Sequence, residues 1–128
     1  MIIDTCVFRD GAFIEAIKEY HGTKCISSIT YTEMQVYLMG KKNKPSNYFD
    51  NIIRNVTIDI STFTKHEALS AAKIGIVMEE FKKNSRDYMI AAHAIMAPWI
   101  VITYNKKDFT YLRERVYDPE EFRRAKNL

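Results

Sequence analysis

The chain has 128 residues, 47% of them hydrophobic, with a net charge of +3 and a pI near 8.8. A chain of that length is expected to form one domain spanning residues 1–128, burying about two-thirds of its extended surface without a disulfide or zinc staple. No apolar run approaches the roughly 20 residues of a membrane span, an acid at position 4 with no basic stretch before it argues against a secretory leader, and two isolated thiols, Cys6 and Cys25, argue against a disulfide framework and for a reduced, cytoplasmic protein.

In chain order, Met1 to Thr5 reads as a short strand and Phe8 to Tyr20 as a helix with Phe13, Ile14 and Ile17 on one face, stopped by Gly22. Lys24 to Ile29 is a second strand. Thr30 to Met39 is a helix ending at Gly40, and a basic loop with Lys41, Lys42 and Lys44 follows. Ser46 to Arg54 is a short helix, and Val56 to Ile60 alternates like a strand. Thr64 to Lys83 predicts a long helix with an interruption near Gly75. Asp87 to Met96, apolar apart from His93, predicts a buried helix that Pro98 ends. Trp99 to Tyr104 is a strand, Lys106 to Leu112 a short helix and Arg115 to Tyr117 a last strand. Asp118-Pro119-Glu120-Glu121 then opens a capped helix with proline at its first position. Such alternation implies an α/β fold, a three-layer α/β/α sandwich around a mostly parallel sheet.

Four acids sit at or just beyond the ends of apolar runs: Asp4, Glu33, Asp87 and Asp108. In a parallel sheet those ends share one edge, the edge where ligands bind. Acids gathered there repel one another unless a hard cation, magnesium or manganese, neutralises them. Each acid also has a plain reading. Thr30-x-x-Glu33 has the form of a capping box, and so has Thr64-x-x-Glu67. Ser85 and Asn105 could cap turns that place Asp87 and Asp108 where a helix dipole favours negative charge. Asp4 has no such alternative, because a carboxylate at a central strand end is costly to desolvate unless paired or metal-bound. His93 lies about 120° around a helix from Asp87, and its expected role is a hydrogen bond in the core.

The segments Asp4-Thr5, Ser28-Ile29-Thr30-Tyr31-Thr32-Glu33, Asp87-x-x-Ile90-Ala91-Ala92-x-Ala94 and Thr103-x-Asn105-x-x-Asp108-Phe109 resemble the ordered motifs of the PIN-domain ribonucleases, and most closely the small VapC-like toxins of type II toxin–antitoxin pairs. The resemblance runs from residue 2 to about residue 112. It implies a PIN-like fold, a Mg2+- or Mn2+-dependent endoribonuclease, a homodimer and a cognate antitoxin. Matched position by position, Asp4, Glu33 and Asp87 are the core acids and Asp108 the more variable fourth, all catalytic and metal-holding. Thr5, Thr103 and Asn105 stand around them, Asn105 where many members carry Asp and Cys6 where Asn or Ser is frequent. Arg86 and Lys106 are candidate contacts to RNA phosphates.

The resulting expectation is metal-assisted hydrolysis of RNA phosphodiesters, in which a divalent ion acidifies a water and polarises the phosphoryl oxygen. Two rivals remain on the sequence alone. One is a PIN-fold module that binds RNA or protein without cleaving, for which Asn105 is the argument. The other is phosphoryl transfer to Asp4, disfavoured because Asp4-Thr5-Cys6-Val7 lacks a second acid beside the nucleophile.

Overall fold

The computed structural model describes residues 1–128. Five short strands, β1 (Ile2–Ile3), β2 (Cys25–Ser27), β3 (Asp59–Ser61), β4 (Val101–Ile102) and β5 (Val116–Tyr117), pair in the order β3-β2-β1-β4-β5. Every pairing is parallel. Six α-helices connect and cover them: α1 (Gly11–Ala16), α2 (Ser28–Gln35), α3 (Asn47–Val56), α4 (Lys65–Met78), α5 (Phe81–Met96) and α6 (Pro119–Lys126).

Alternation along β1 and β4 explains the layers. Ile3 and Ile102 join Phe13, Ile17, Phe49, Ile53 and Phe122 in one core on the α1, α3 and α6 side. Ile2 and Val101 face the other way, onto Ile90, Ala91 and Ala94 of α5. A strand buried on both faces carries side chains of the same apolar kind at odd and even positions, as parallel sheets between helices do. Ala91 and Ala94 are both fully buried, and their small size brings the α5 backbone close to the sheet.

The expected three-layer parallel architecture is therefore present, with local differences that have physical causes. The strands are shorter than the apolar runs that announce them, because the chain leaves the ladder as soon as its polar end begins. The helix expected over Phe8 to Tyr20 is three pieces: a 3-10 segment Thr5–Arg9, then α1, then a 3-10 turn Ile17–Glu19. Asp10 makes the break, since its carboxylate accepts from the Phe13 N–H at 3.0 Å and starts a new helix. After α2 the backbone widens into a π-helical stretch Val36–Lys41, which carries it past Gly40.

The long helix expected to reach Lys83 ends at Met78, where Glu79 turns left-handed (φ 58°). Gly75 marks a close approach instead of the break: a Cβ there would meet the Phe81 ring at 2.8 Å. Helix α5 starts at Phe81, well before Ser85, and bends at Asn84 (φ −119°, ψ 16°), so Ser85 is not its cap. At its far end Arg115 donates to the carbonyls of Ala94, Ala97 and Trp99. The residues expected to make a helix from Lys106 to Leu112 instead run in 3-10 form from Lys106 to Arg115. Helix α6 opens as read, on an Asp118–Glu121 capping box with Pro119 in its first turn. No helix is long and apolar enough to cross a membrane.

Candidate active site

The chain builds the sheet outward from β1 through β2 to β3, then returns to β4 on the other side of β1. Strand order reverses between β1 and β4, and a parallel sheet opens a crevice beyond the strand ends at such a point. The register Ile3↔Ile102 puts the next residues, Asp4 and Thr103, side by side in that crevice. Thr103 Oγ1 donates to Asp4 Oδ2 at 2.8 Å, and both residues are fully buried. The Asp4 carboxylate also accepts the Thr5 N–H at 2.7 Å and contacts the Cys6 thiol at 3.5 Å. Cys6 thus supplies a weak polar contact where Asn or Ser was the expected type, and burial followed by the Asp4 charge raises its pKa.

Glu33 reaches the same point from α2. That helix does not begin as a Thr30 capping box. Ser27 is the cap, accepting from the Ile29 N–H at 3.1 Å, and Thr30 is buried inside the first turns. The Glu33 carboxylate, free of any capping duty, accepts from Thr5 Oγ1 at 2.7 Å. Asp87 comes from α5.

One cation joins the three acids. The Arg86 guanidinium gives each nitrogen a separate partner: Nε donates to Glu33 Oε2 at 2.6 Å, Nη1 to Asp87 Oδ1 at 2.8 Å and Nη2 to Asp4 Oδ1 at 2.6 Å. Burial disfavours the charge of Arg86, but Glu33 and Asp4 outweigh it and raise the pKa above the ordinary guanidinium value. For Asp87, burial is the leading influence and Asp4 and Asp108 add to it; together they exceed the opposing pull of Arg86 and raise its pKa. Three carboxyl groups thus face a single guanidinium.

Of the residues singled out in the sequence, Asp4, Glu33, Asp87, Thr5, Thr103 and Arg86 meet here through direct hydrogen bonds. Asp108 lies near enough for its charge to act on Asp87 but makes no ion pair with this group. The Asn105 backbone N–H donates to Thr103 Oγ1 at 3.0 Å, while its exposed side chain lines a neighbouring cleft. Lys106 is held away from the acids by Glu121, with both carboxylate oxygens at 2.8 Å. The cleft it borders, about 950 Å³, also carries Lys107, Arg123 and the half-exposed Tyr104.

One feature escaped the sequence reading. The buried Tyr111 hydroxyl has no hydrogen-bond partner, and burial followed by the charge of Asp87 raises its pKa. Its only signal was its place three residues after Asp108. His93 has the core role expected of it: it meets Ser27 Oγ at 2.8 Å and Ser61 Oγ at 3.2 Å, a satisfied core histidine that ties α5 to β2 and β3.

No protein-family model and no curated protein matches the chain. Solved structures do. A chain of a toxin–antitoxin complex from Klebsiella pneumoniae superposes with a TM-score of 0.70 at 23% identity, covering 92% of this chain and 96% of that one. A chain of VapBC-1 from nontypeable Haemophilus influenzae gives 0.60 at 20% identity, covering 93% and 97%. The chain shares a PIN-like α/β fold with these two chains. Within that fold the chemistry of the donors suits a hard divalent ion: all are oxygens, and carboxylates of this kind hold magnesium while it keeps several waters. Their present spacing suits a guanidinium, since no three Asp, Glu, His or Cys side chains are close enough to share one ion.

Proposed function

We propose that this protein is a metal-dependent endoribonuclease, the toxin of a VapC-like toxin–antitoxin pair, acting in the cytoplasm as a homodimer restrained by a cognate antitoxin. The observation that carries the reading is the convergence of Asp4, Glu33 and Asp87 on one cation at the switch point of the sheet. Toxin–antitoxin assemblies with this fold at more than 90% coverage of both chains support the partner and the biological role.

In this mechanism Asp4, Glu33 and Asp87 would hold Mg2+ or Mn2+, with the charge of Asp108 acting on Asp87 beside them. When bound, such an ion lowers the pKa of a water and offsets charge on the phosphoryl oxygens. The chain's own residues do the rest. Thr103 and the Thr5 N–H fix both oxygens of Asp4. The Thr5 hydroxyl aims Glu33. The neighbouring cleft lined by Asn105 would offer an RNA strand the cations Lys106, Lys107, Arg123 and Arg124, set among Asp10, Asp118 and Glu120. Hydrolysis across the 3′ oxygen leaves a 5′-phosphate and a 3′-hydroxyl.

The deciding experiment is cleavage of single-stranded RNA with Mn2+ and with EDTA, followed by end mapping, using the chain and its Asp4→Asn variant. Cleavage that needs the metal, leaves 5′-phosphates and disappears in the variant is expected. Equal cleavage by the variant would remove Asp4 from the mechanism. The second reading, a module that binds RNA or protein without cutting, is favoured by one observation: Arg86 already fills the place among the acids. RNA binding without any metal-dependent cleavage would select it.

A further inference from the structure

We infer that Arg86 is a built-in counter-ion that locks the acid pocket, and that a divalent ion enters only by displacing it. The inference rests on the metal-site reading above and adds a competition to it.

The geometry supplies both halves of the competition. Each guanidinium nitrogen is spent on a different carboxylate, at 2.6 to 2.8 Å, and charge-assisted pairs of that length are the strong ones. With the guanidinium in the middle, the carboxylates stand around it and no three come within reach of a common ion. Metal and Arg86 therefore exclude each other. The lock is also incomplete. One guanidinium faces three carboxyl groups, with Asp108 close beyond Asp87, so acidic groups outnumber the cation while the arginine is bound.

Arg86 has a way out. Its side chain is about one-third exposed, whereas Asp4 is fully buried, so the guanidinium enters the pocket from the solvent side. It sits two residues after the Asn84 bend, in the first turn of the regular part of α5 that also carries Asp87. Two of the acids are held independently of it: Asp4 keeps Thr103 and the Thr5 N–H, and Glu33 keeps the Thr5 hydroxyl. Withdrawing Arg86 thus leaves Asp4 and Glu33 oriented and frees the Asp87 carboxyl, whose one side-chain partner is Arg86. The measured metal affinity then equals the intrinsic affinity reduced by the fraction of molecules in which the pocket is open.

The test is Mn2+ binding to metal-free protein by calorimetry, comparing the parent chain with Arg86→Gln and with Lys83→Gln, which removes an exposed charge on the same helix. Arg86→Gln is expected to tighten Mn2+ binding at least tenfold and Lys83→Gln to change it less than twofold. Equal tightening in both reduces the effect to general charge and overturns the lock. Weaker binding in Arg86→Gln overturns it too, since an arginine that merely holds the acids together would lose the site when removed. Should that variant not fold, the parent chain decides: the Arg86 Nε–H resonance should lose its hydrogen-bonded shift as Mg2+ is added, and a resonance unmoved at saturating Mg2+ overturns the lock. Tight binding without RNA cleavage would leave the lock standing and remove the nuclease reading. No Mn2+ binding by any of the proteins would remove both.

Discussion

The same four-residue pattern, Thr-x-x-Glu, occurs at 30–33 and at 64–67 and has opposite fates. At the start of α4, Thr64 and Glu67 form a complete capping box: the Thr64 hydroxyl accepts from the His66 N–H at 3.2 Å, and Glu67 accepts from the Thr64 N–H at 3.0 Å. At the start of α2, Ser27 has already taken the cap, Thr30 is buried, and Glu33 points across to Thr5 and Arg86. A carboxylate one turn into a helix is structural when the backbone N–H groups need it and is released for chemistry when another residue has met that need. The difference lies one strand end upstream, at Ser27.

The comparison breaks most visibly through activity. Asp4→Asn and Glu33→Gln should each lower metal-dependent RNA cleavage by more than about a hundredfold, the upper end of the loss when a metal site's orienting partners are removed. Glu67→Gln should leave the initial rate within about twofold. A comparable loss from Glu67→Gln would abolish the distinction between the two acids. Next comes stability at the two caps. Ser27→Ala leaves the Ile29 N–H and the buried His93 ring short of a partner, at a cost of about 1–3 kcal/mol. Thr64→Ala removes an exposed cap alone and should cost about 1 kcal/mol, lowering the melting temperature by about 4 °C. Denaturant melts would rank the two, and a larger cost at Thr64 contradicts the assignment.

The smallest effect is a pH dependence. The Thr64 hydroxyl holds the Glu67 carboxyl below its ordinary 4.5. A folded-state pKa below the unfolded one means the unfolded chain takes up protons first on acidification. The contribution of Glu67 is complete above about pH 4.5 and is lost as pH falls through the lower folded value. The stability gap between the parent chain and Glu67→Gln should accordingly narrow between pH 5 and pH 3, as seen in thermal melts. A gap that widens has the wrong sign for a capping carboxylate.

How much of this was legible beforehand follows from the same physics. The parallel sheet was readable because Ile2, Ile3, Val101 and Ile102 are apolar on both faces, a pattern that only a sandwiched strand needs. Asp4 was readable because it ends an apolar strand, while Glu33, inside α2, and Asp87, at the head of the apolar stretch of α5, were readable through their place in the ordered motifs. The end of α4 was not, since neither glycine nor proline marks it and Glu79 takes the left-handed turn itself. Nor was the role of Arg86. It was expected to face RNA phosphate, and its neighbour Asp87 on the helix gave no hint that a long, flexible side chain would turn inward to three carboxylates. Spacing sets where a backbone sits, while the reach of an arginine depends on what surrounds its tip.

Helix α5 behaves as a cantilever. Arg115 clamps its far end through the carbonyls of Ala94, Ala97 and Trp99, and Asn84 notches the end beside the acids. A beam fixed at one end and notched near the other deflects at the notch. Amide hydrogen exchange should therefore be fast from Phe81 to Ser85 and slow from Tyr88 to Ala94, with the boundary falling at Arg86 and Asp87, so that the pocket residues stand on the root side of the notch.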